Sequence, residues 1–97
     1  MARQIVWTQQ AQNERKQILA YWTSRNRSNL HSKKLSRLFT DALKIIVERP
    51  FIGKRTSIEN VRIKVVRDYL IFYEITEIHI VVLTIRDCRR NPLNIQL

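Results

Sequence analysis

In the stretch VRIKVVRDYLIFYEI, residues 61–75, Arg62 and Lys64 alternate with Val61, Ile63 and Val65. An extended chain puts such alternating residues on opposite sides, so two cations share one side and three apolar residues the other. Lys54 and Arg55 precede the stretch, Arg67 interrupts it, and Arg86, Arg89 and Arg90 come after it. Cations held in a row can track a phosphate backbone and release its counterions, or pair with the carboxylates of an acidic segment. Tyr69 is the aromatic residue best placed to be exposed beside them. The candidate binding set is Lys54, Arg55, Arg62, Lys64, Arg67, Tyr69, Arg86, Arg89 and Arg90.

The whole chain shares this bias, with 18 Lys and Arg against 8 Asp and Glu and a formal net charge of +10. Solubility is usually served by a net charge of roughly 2 to 8, so a polyanionic or acidic partner is expected. Other cations (Arg15, Lys16, Lys33, Lys34, Arg37, Lys44) spread around helical polar faces and read as solvated charge. At 97 residues the chain holds one domain, residues 1–97, with one core. His31 and His79 lack an acid or metal partner, and no cofactor motif or zinc set is present. The single Cys88 excludes an internal disulfide framework and suits a reducing cytoplasm. Arg86, Arg89 and Arg90 would lower its thiol pKa if it were exposed, but no companion His marks it as a nucleophile. The opening MARQIVWTQQAQ has no apolar signal core, and no run approaches a membrane span.

The elements that would position these residues follow from periodicity. Gln4 to Thr8 reads as a strand, with Thr8 also the N-cap of a helix from Gln9 to about Arg25. Ala11, Ile18, Leu19, Tyr21 and Trp22 mark the apolar side of that helix. Beyond the polar RNRSN turn, Leu35, Leu38, Phe39, Ala42, Ile45 and Ile46 recur at spacings of three and four, a second helix that stops near Arg49 because of Pro50. A loop carrying the only glycine, Gly53, leads to strands over Val61 to Arg67, Tyr69 to Ile75 and Ile78 to Arg86, joined by short turns at Arg67-Asp68 and Thr76-Glu77.

The expected fold is α+β, a small antiparallel β-sheet with an N-terminal helical hairpin packed on one face, in the order β-α-α-β-β-β. The nearly continuous apolar run of the last strand predicts a central place with both faces covered. Val61, Ile63 and Val65 would pack inward, Arg62 and Lys64 would face away from the helices or toward their rim, and the cations would converge in space. Trp7, Trp22, Phe39, Phe72 and Tyr73 are expected in the core.

A strand ending in Trp, a helical hairpin closing in ERPFIG, then NVRIKVVRDYLIFYEI and IVVLTIRDCRRNP together resemble the RelE/ParE superfamily of bacterial type II toxin-antitoxin toxins. The resemblance covers nearly the whole chain. It implies a cytoplasmic growth-inhibiting toxin in a hetero-oligomer with a cognate antitoxin, needing no cofactor. It also implies that one basic patch serves target and inhibitor in turn.

Two activities occur on this scaffold: RelE-like members cleave messenger RNA on the ribosome, whereas ParE-like members are associated with inhibition of DNA gyrase. Arg62, Lys64 and Arg89 match basic positions of the ribonuclease site, and would stabilise the charged state formed when a ribose 2′-hydroxyl attacks the phosphate. Leu70 stands where ribonuclease members carry Arg, and no Tyr follows Arg89. Glu59, Glu74 and Glu77 are the carboxylates left to act as acid or base. Leu70 in YLIFY fits the ParE-like pattern, which favours a non-enzymatic inhibitor of gyrase or a related nucleic-acid machine, with a ribosome-dependent mRNA endoribonuclease as the alternative.

Overall fold

The computed structural model describes residues 2–88. The strand β1 (Gln4–Trp7) leads into two helices, α1 (Gln9–Asn26) and α2 (Leu30–Glu48), followed by a 3₁₀ turn at Pro50–Ile52. The strands β2 (Lys54–Arg55), β3 (Val61–Val66), β4 (Tyr69–Ile75) and β5 (His79–Asp87) complete one five-stranded sheet in the order β1-β5-β4-β3-β2. The α+β architecture and element order match the sequence reading, with two differences. Residues Lys54 and Arg55, read as loop, pair with Ile63 and Arg62 as a short edge strand, and β1 joins β5 in parallel, so the sheet is mixed.

Thr8 caps α1 as expected. Its hydroxyl accepts from the Ala11 amide at 3.1 Å and donates to the Leu83 carbonyl at 2.9 Å, fixing the helix start to β5. Only Ala11 is fully buried on α1, with Ile18, Leu19 and Trp22 partly buried against the core, while Tyr21 is exposed. The second helix carries a broader apolar face of Leu35, Phe39, Ala42, Leu43 and Ile46. A bond of 2.8 Å between the Thr23 and Ser32 hydroxyls ties the hairpin together.

The core lies between this hairpin and Val66, Tyr69, Ile71, Tyr73, Ile75, Ile80, Val82 and Ile85 of the sheet. The strand buried on both sides is β4 rather than β5, because Leu70 and Phe72 are buried on the face away from the helices. Along β5 half-buried Val81 and Leu83 alternate with buried Ile80 and Val82. β5 is nonetheless interior, flanked by β1 and β4.

β1 covers the edge of β5 only as far as Val82. Beyond that, α1 takes over: Glu14 Oε1 accepts from the Thr84 hydroxyl at 2.7 Å and from the Ile85 amide at 3.1 Å. A carboxylate here satisfies a backbone donor that the missing neighbouring strand leaves open. Glu14→Ala should lower the unfolding free energy by about 1–3 kcal/mol. Glu14→Gln keeps an acceptor and should cost less, and urea titration of the two variants against the parent chain checks the order.

Candidate functional site

The two-residue turn at Arg67-Asp68 sets the register of β3 on β4, with Arg62 opposite Tyr73, Lys64 opposite Ile71 and Val66 opposite Tyr69. Cross-strand partners share a face, so Arg62 and Lys64 lie on the same side as the helix-facing core residues Tyr73 and Ile71. This overturns the expected inward packing of Val61, Ile63 and Val65 and the option that Arg62 and Lys64 face away from the helices. Ile63 and Val65 share the opposite face with Phe72 and Leu70, and Val65 is 47% exposed. Alternation identifies which residues share a face, but not which face the helices cover.

Arg62 is half-buried and has a defined task. Its guanidinium donates from Nη1 to the carbonyls of Phe51 and Gly53, both at 3.0 Å, and stands 5.1 Å from the centre of the Phe51 ring. Beside it the Tyr73 hydroxyl donates to the Pro50 carbonyl at 2.7 Å and accepts from the Gly53 amide at 3.0 Å. A Cβ on Gly53 would come within 2.5 Å of the Tyr73 oxygen and 2.8 Å of the Ile63 carbonyl, so close approach requires glycine here. The motif from Pro50 to Gly53 is thus the part of the chain that Tyr73 and Arg62 grip.

Burial pushes the Tyr73 hydroxyl above the ordinary tyrosine value of 10.0, against the opposing pull of the Gly53 amide and the Arg62 charge.

Around this grip lies a cavity of about 360 Å³ lined by Phe51, Arg55, Thr56, Ile58, Glu59 and Arg62, among others. Arg55 and Arg62 are register partners. Phe51 and Ile58 are 60% and 50% exposed, the apolar part of the rim. The Thr56 hydroxyl organises the loop with bonds to the Ile58 and Val61 carbonyls and the Ile58 amide.

The predicted cations do not form a single patch. Arg55, Arg62 and Lys64 share one face, while Lys54, opposite Ile63, and Arg86, opposite Leu70, belong to the other. Arg67 sits in the turn at the far end of β3 with φ 58°. Arg89 and Arg90 lie outside the described residues. Tyr69, expected to be exposed, is 4% exposed: its ring packs edge-on to Phe39 and its hydroxyl accepts from the Trp22 indole at 2.7 Å.

Arg67 and Tyr69 line a second cleft, of about 310 Å³, with Trp22, His31 and Lys34. The Cys88 thiol donates to the Asp68 carbonyl at 3.0 Å. Of the three carboxylates, Glu59 lines the Arg55–Arg62 cavity, Glu74 stands opposite Val61, and Glu77 is exposed in the β4–β5 turn. Among the described residues no cluster of His, Cys, Asp and Glu is arranged to hold a metal ion, and no helix is long and apolar enough to cross a membrane.

Residues 5–92 match the model of a family described as the ParE toxin of the type II toxin-antitoxin system parDE. The chain belongs to the ParE toxin family. Its fold is shared with a chain of the chromosomal ParDE toxin-antitoxin system from P. aeruginosa, with a TM-score of 0.74 and 14% identity over 89% of this chain and 96% of that one. No curated protein sequence matches.

Replacing Arg62 with Ala should cost about 1–3 kcal/mol of stability, since the Phe51 carbonyl at the surface and the part-buried Gly53 carbonyl both lose a charged donor. Lys64→Ala, which breaks no such bond, should stay within about 0.5 kcal/mol. Chemical denaturation of both variants measures the contrast.

The raised Tyr73 pKa also predicts alkaline weakening. Its contribution is fully present below the unfolded value of 10.0 and is lost as pH rises through the folded-state pKa. Tyr73→Phe should be less stable at neutral pH and should lose that alkaline step, as followed by stability measurements from about pH 9 to 12.

Proposed function

We propose that this chain is the growth-inhibiting toxin of a type II toxin-antitoxin module, silenced by a cognate antitoxin, and that it acts without cutting nucleic acid. DNA gyrase, or a related nucleic-acid machine, is the target this reading names. The observation that carries it is the commitment of Arg62: a guanidinium donating to two carbonyls of its own chain is poorly placed to stabilise a phosphate in flight. Leu70 adds to this. Where ribonuclease members of the wider superfamily carry Arg, this chain buries an apolar side chain, 8% exposed, across from Val65 and Arg86.

The family match supports the toxin role, and the net charge of +10 suits an acidic antitoxin segment and a nucleic-acid-bound target alike. Phe51, Ile58, Arg55 and Lys64 are the side chains at the Arg62 end of the sheet through which such contacts would be made.

Pulse-labelling in the minutes after induction in a bacterial culture tests the reading. Thymidine incorporation should fall before methionine incorporation, and purified gyrase should lose supercoiling activity when the protein is in excess. An earlier fall in methionine incorporation, with new message ends, would replace this reading with the ribosome-dependent endoribonuclease.

A further inference from the structure

The cleft at the Arg67 end takes no part in the grip on Pro50 to Gly53, and the proposed inhibitory role does not draw on it. Three elements build it. Trp22 comes from α1, His31 and Lys34 from the first turns of α2, and Arg67 and Tyr69 from the β3–β4 turn and the start of β4. Trp22 and His31 meet edge to face, with 4.6 Å between ring centroids and 62° between ring planes. Below them Leu35, 2% exposed, and half-buried Leu38 supply an apolar floor. Lys34 and Arg67 are exposed and carry the positive charge of the opening, beside Asp68.

The Tyr69 hydroxyl is spent only in part. It accepts the Trp22 indole proton, and among the described residues no acceptor stands opposite its own O–H, although the side chain is 96% withdrawn from solvent, leaving 4% exposed. A buried hydroxyl with a proton to give is a donor waiting for a ligand oxygen.

A volume of about 310 Å³ lies at the small end of ligand sites, which run from roughly 300 to 1,000 Å³. It admits a small molecule or one nucleotide, not a helix. A purely apolar ligand would bring Lys34 and Arg67 against a surface that cannot pair with them. A bare phosphate would leave the aromatic wall unused. A planar heterocycle joined to a phosphate uses both, since base-on-aromatic stacking contributes about 1–3 kcal/mol per base and the phosphate takes the charged donors.

We propose that this cleft binds a nucleoside 5′-phosphate, free or at the end of a strand, with its base against Trp22 and His31 and its phosphate held by Lys34 and Arg67. The Tyr69 hydroxyl donates to a ligand oxygen.

The test uses the ¹⁵N-labelled chain and the indole N–H resonance of Trp22, with that of Trp7 as internal reference. The probes are AMP, adenosine, ribose 5-phosphate, and a short single-stranded DNA with and without a 5′-phosphate. AMP should shift the Trp22 resonance while leaving Trp7 in place, and adenosine and ribose 5-phosphate should each bind at least about tenfold more weakly.

Arg67→Gly removes the cation and places glycine where the backbone holds φ 58°. It should raise the melting temperature, because glycine adopts this conformation without strain, and should lower AMP affinity about tenfold or more. Loss of binding in a more stable protein cannot be misfolding.

AMP and ribose 5-phosphate binding equally well, or Arg67→Gly keeping its AMP affinity, would overturn the proposal and leave only the diffuse attraction of a strongly basic protein. Within the supported outcome, a 5′-phosphorylated strand binding at least tenfold tighter than both AMP and its unphosphorylated counterpart identifies a strand end as the source. Otherwise the source is a free nucleotide.

Discussion

One phenolic oxygen joins the middle of the sheet to the exit of the helical hairpin. Tyr73 belongs to β4, the strand with both faces buried, and its hydroxyl reaches back 20 residues to the Gly53 amide and 23 to the Pro50 carbonyl. Because donor and acceptor functions are both used, the chain leaving α2 has one position on the sheet. The placement of β2 beside β3 follows from it, as does the stacking of Arg62 over Phe51. The cavity lined by Arg55 and Ile58 is therefore a consequence of how the core closes.

Around that point the sheet's edges are each closed differently. β1 extends β5 in parallel for four residue pairs, from Gln4↔His79 to Trp7↔Val82, and Glu14 then satisfies the Ile85 amide where β1 has ended. On the other side β2 is two residues long and consists of Lys54 and Arg55. A short, charged edge strand resists pairing with further chains, so the cations there also protect a sheet with an apolar centre.

Much of this architecture was legible in the residues. Thr8 announced its cap, Pro50 the end of α2, and the alternation of β-branched and aromatic residues the strands β3 and β4. The register was also within reach, since a two-residue turn at Arg67-Asp68 already sets Arg62 opposite Tyr73. Which face the helices would cover was not, because period-two alternation is symmetric between faces and only packing breaks the symmetry. The task of Arg62 was hidden for a related reason. Its acceptors are the backbone carbonyls of Phe51 and Gly53, and carbonyls carry no residue-type signature. Trp22 and Tyr69 likewise meet across 47 residues, a distance over which local pattern is silent.

The division of the cations bears on how one small basic protein meets its partners. From Arg62 to Arg67 is five residues of extended chain, about 16 Å at roughly 3.3 Å per residue. Physiological salt screens exposed charges over about 8 Å, so at contact the two ends of β3 act independently. At longer range they still sum, and the +10 net charge draws any polyanion toward the whole molecule. Attraction is thus a property of the chain, whereas on the two proposals made above recognition would belong to each end separately, with Phe51 and Ile58 lining the one and the rings of Trp22 and His31 lining the other. A substitution at one end should leave the chemistry of the other unaltered while slowing encounter at both. That separation lets the contributions of field and contact be read apart in binding kinetics, the first in association and the second in dissociation.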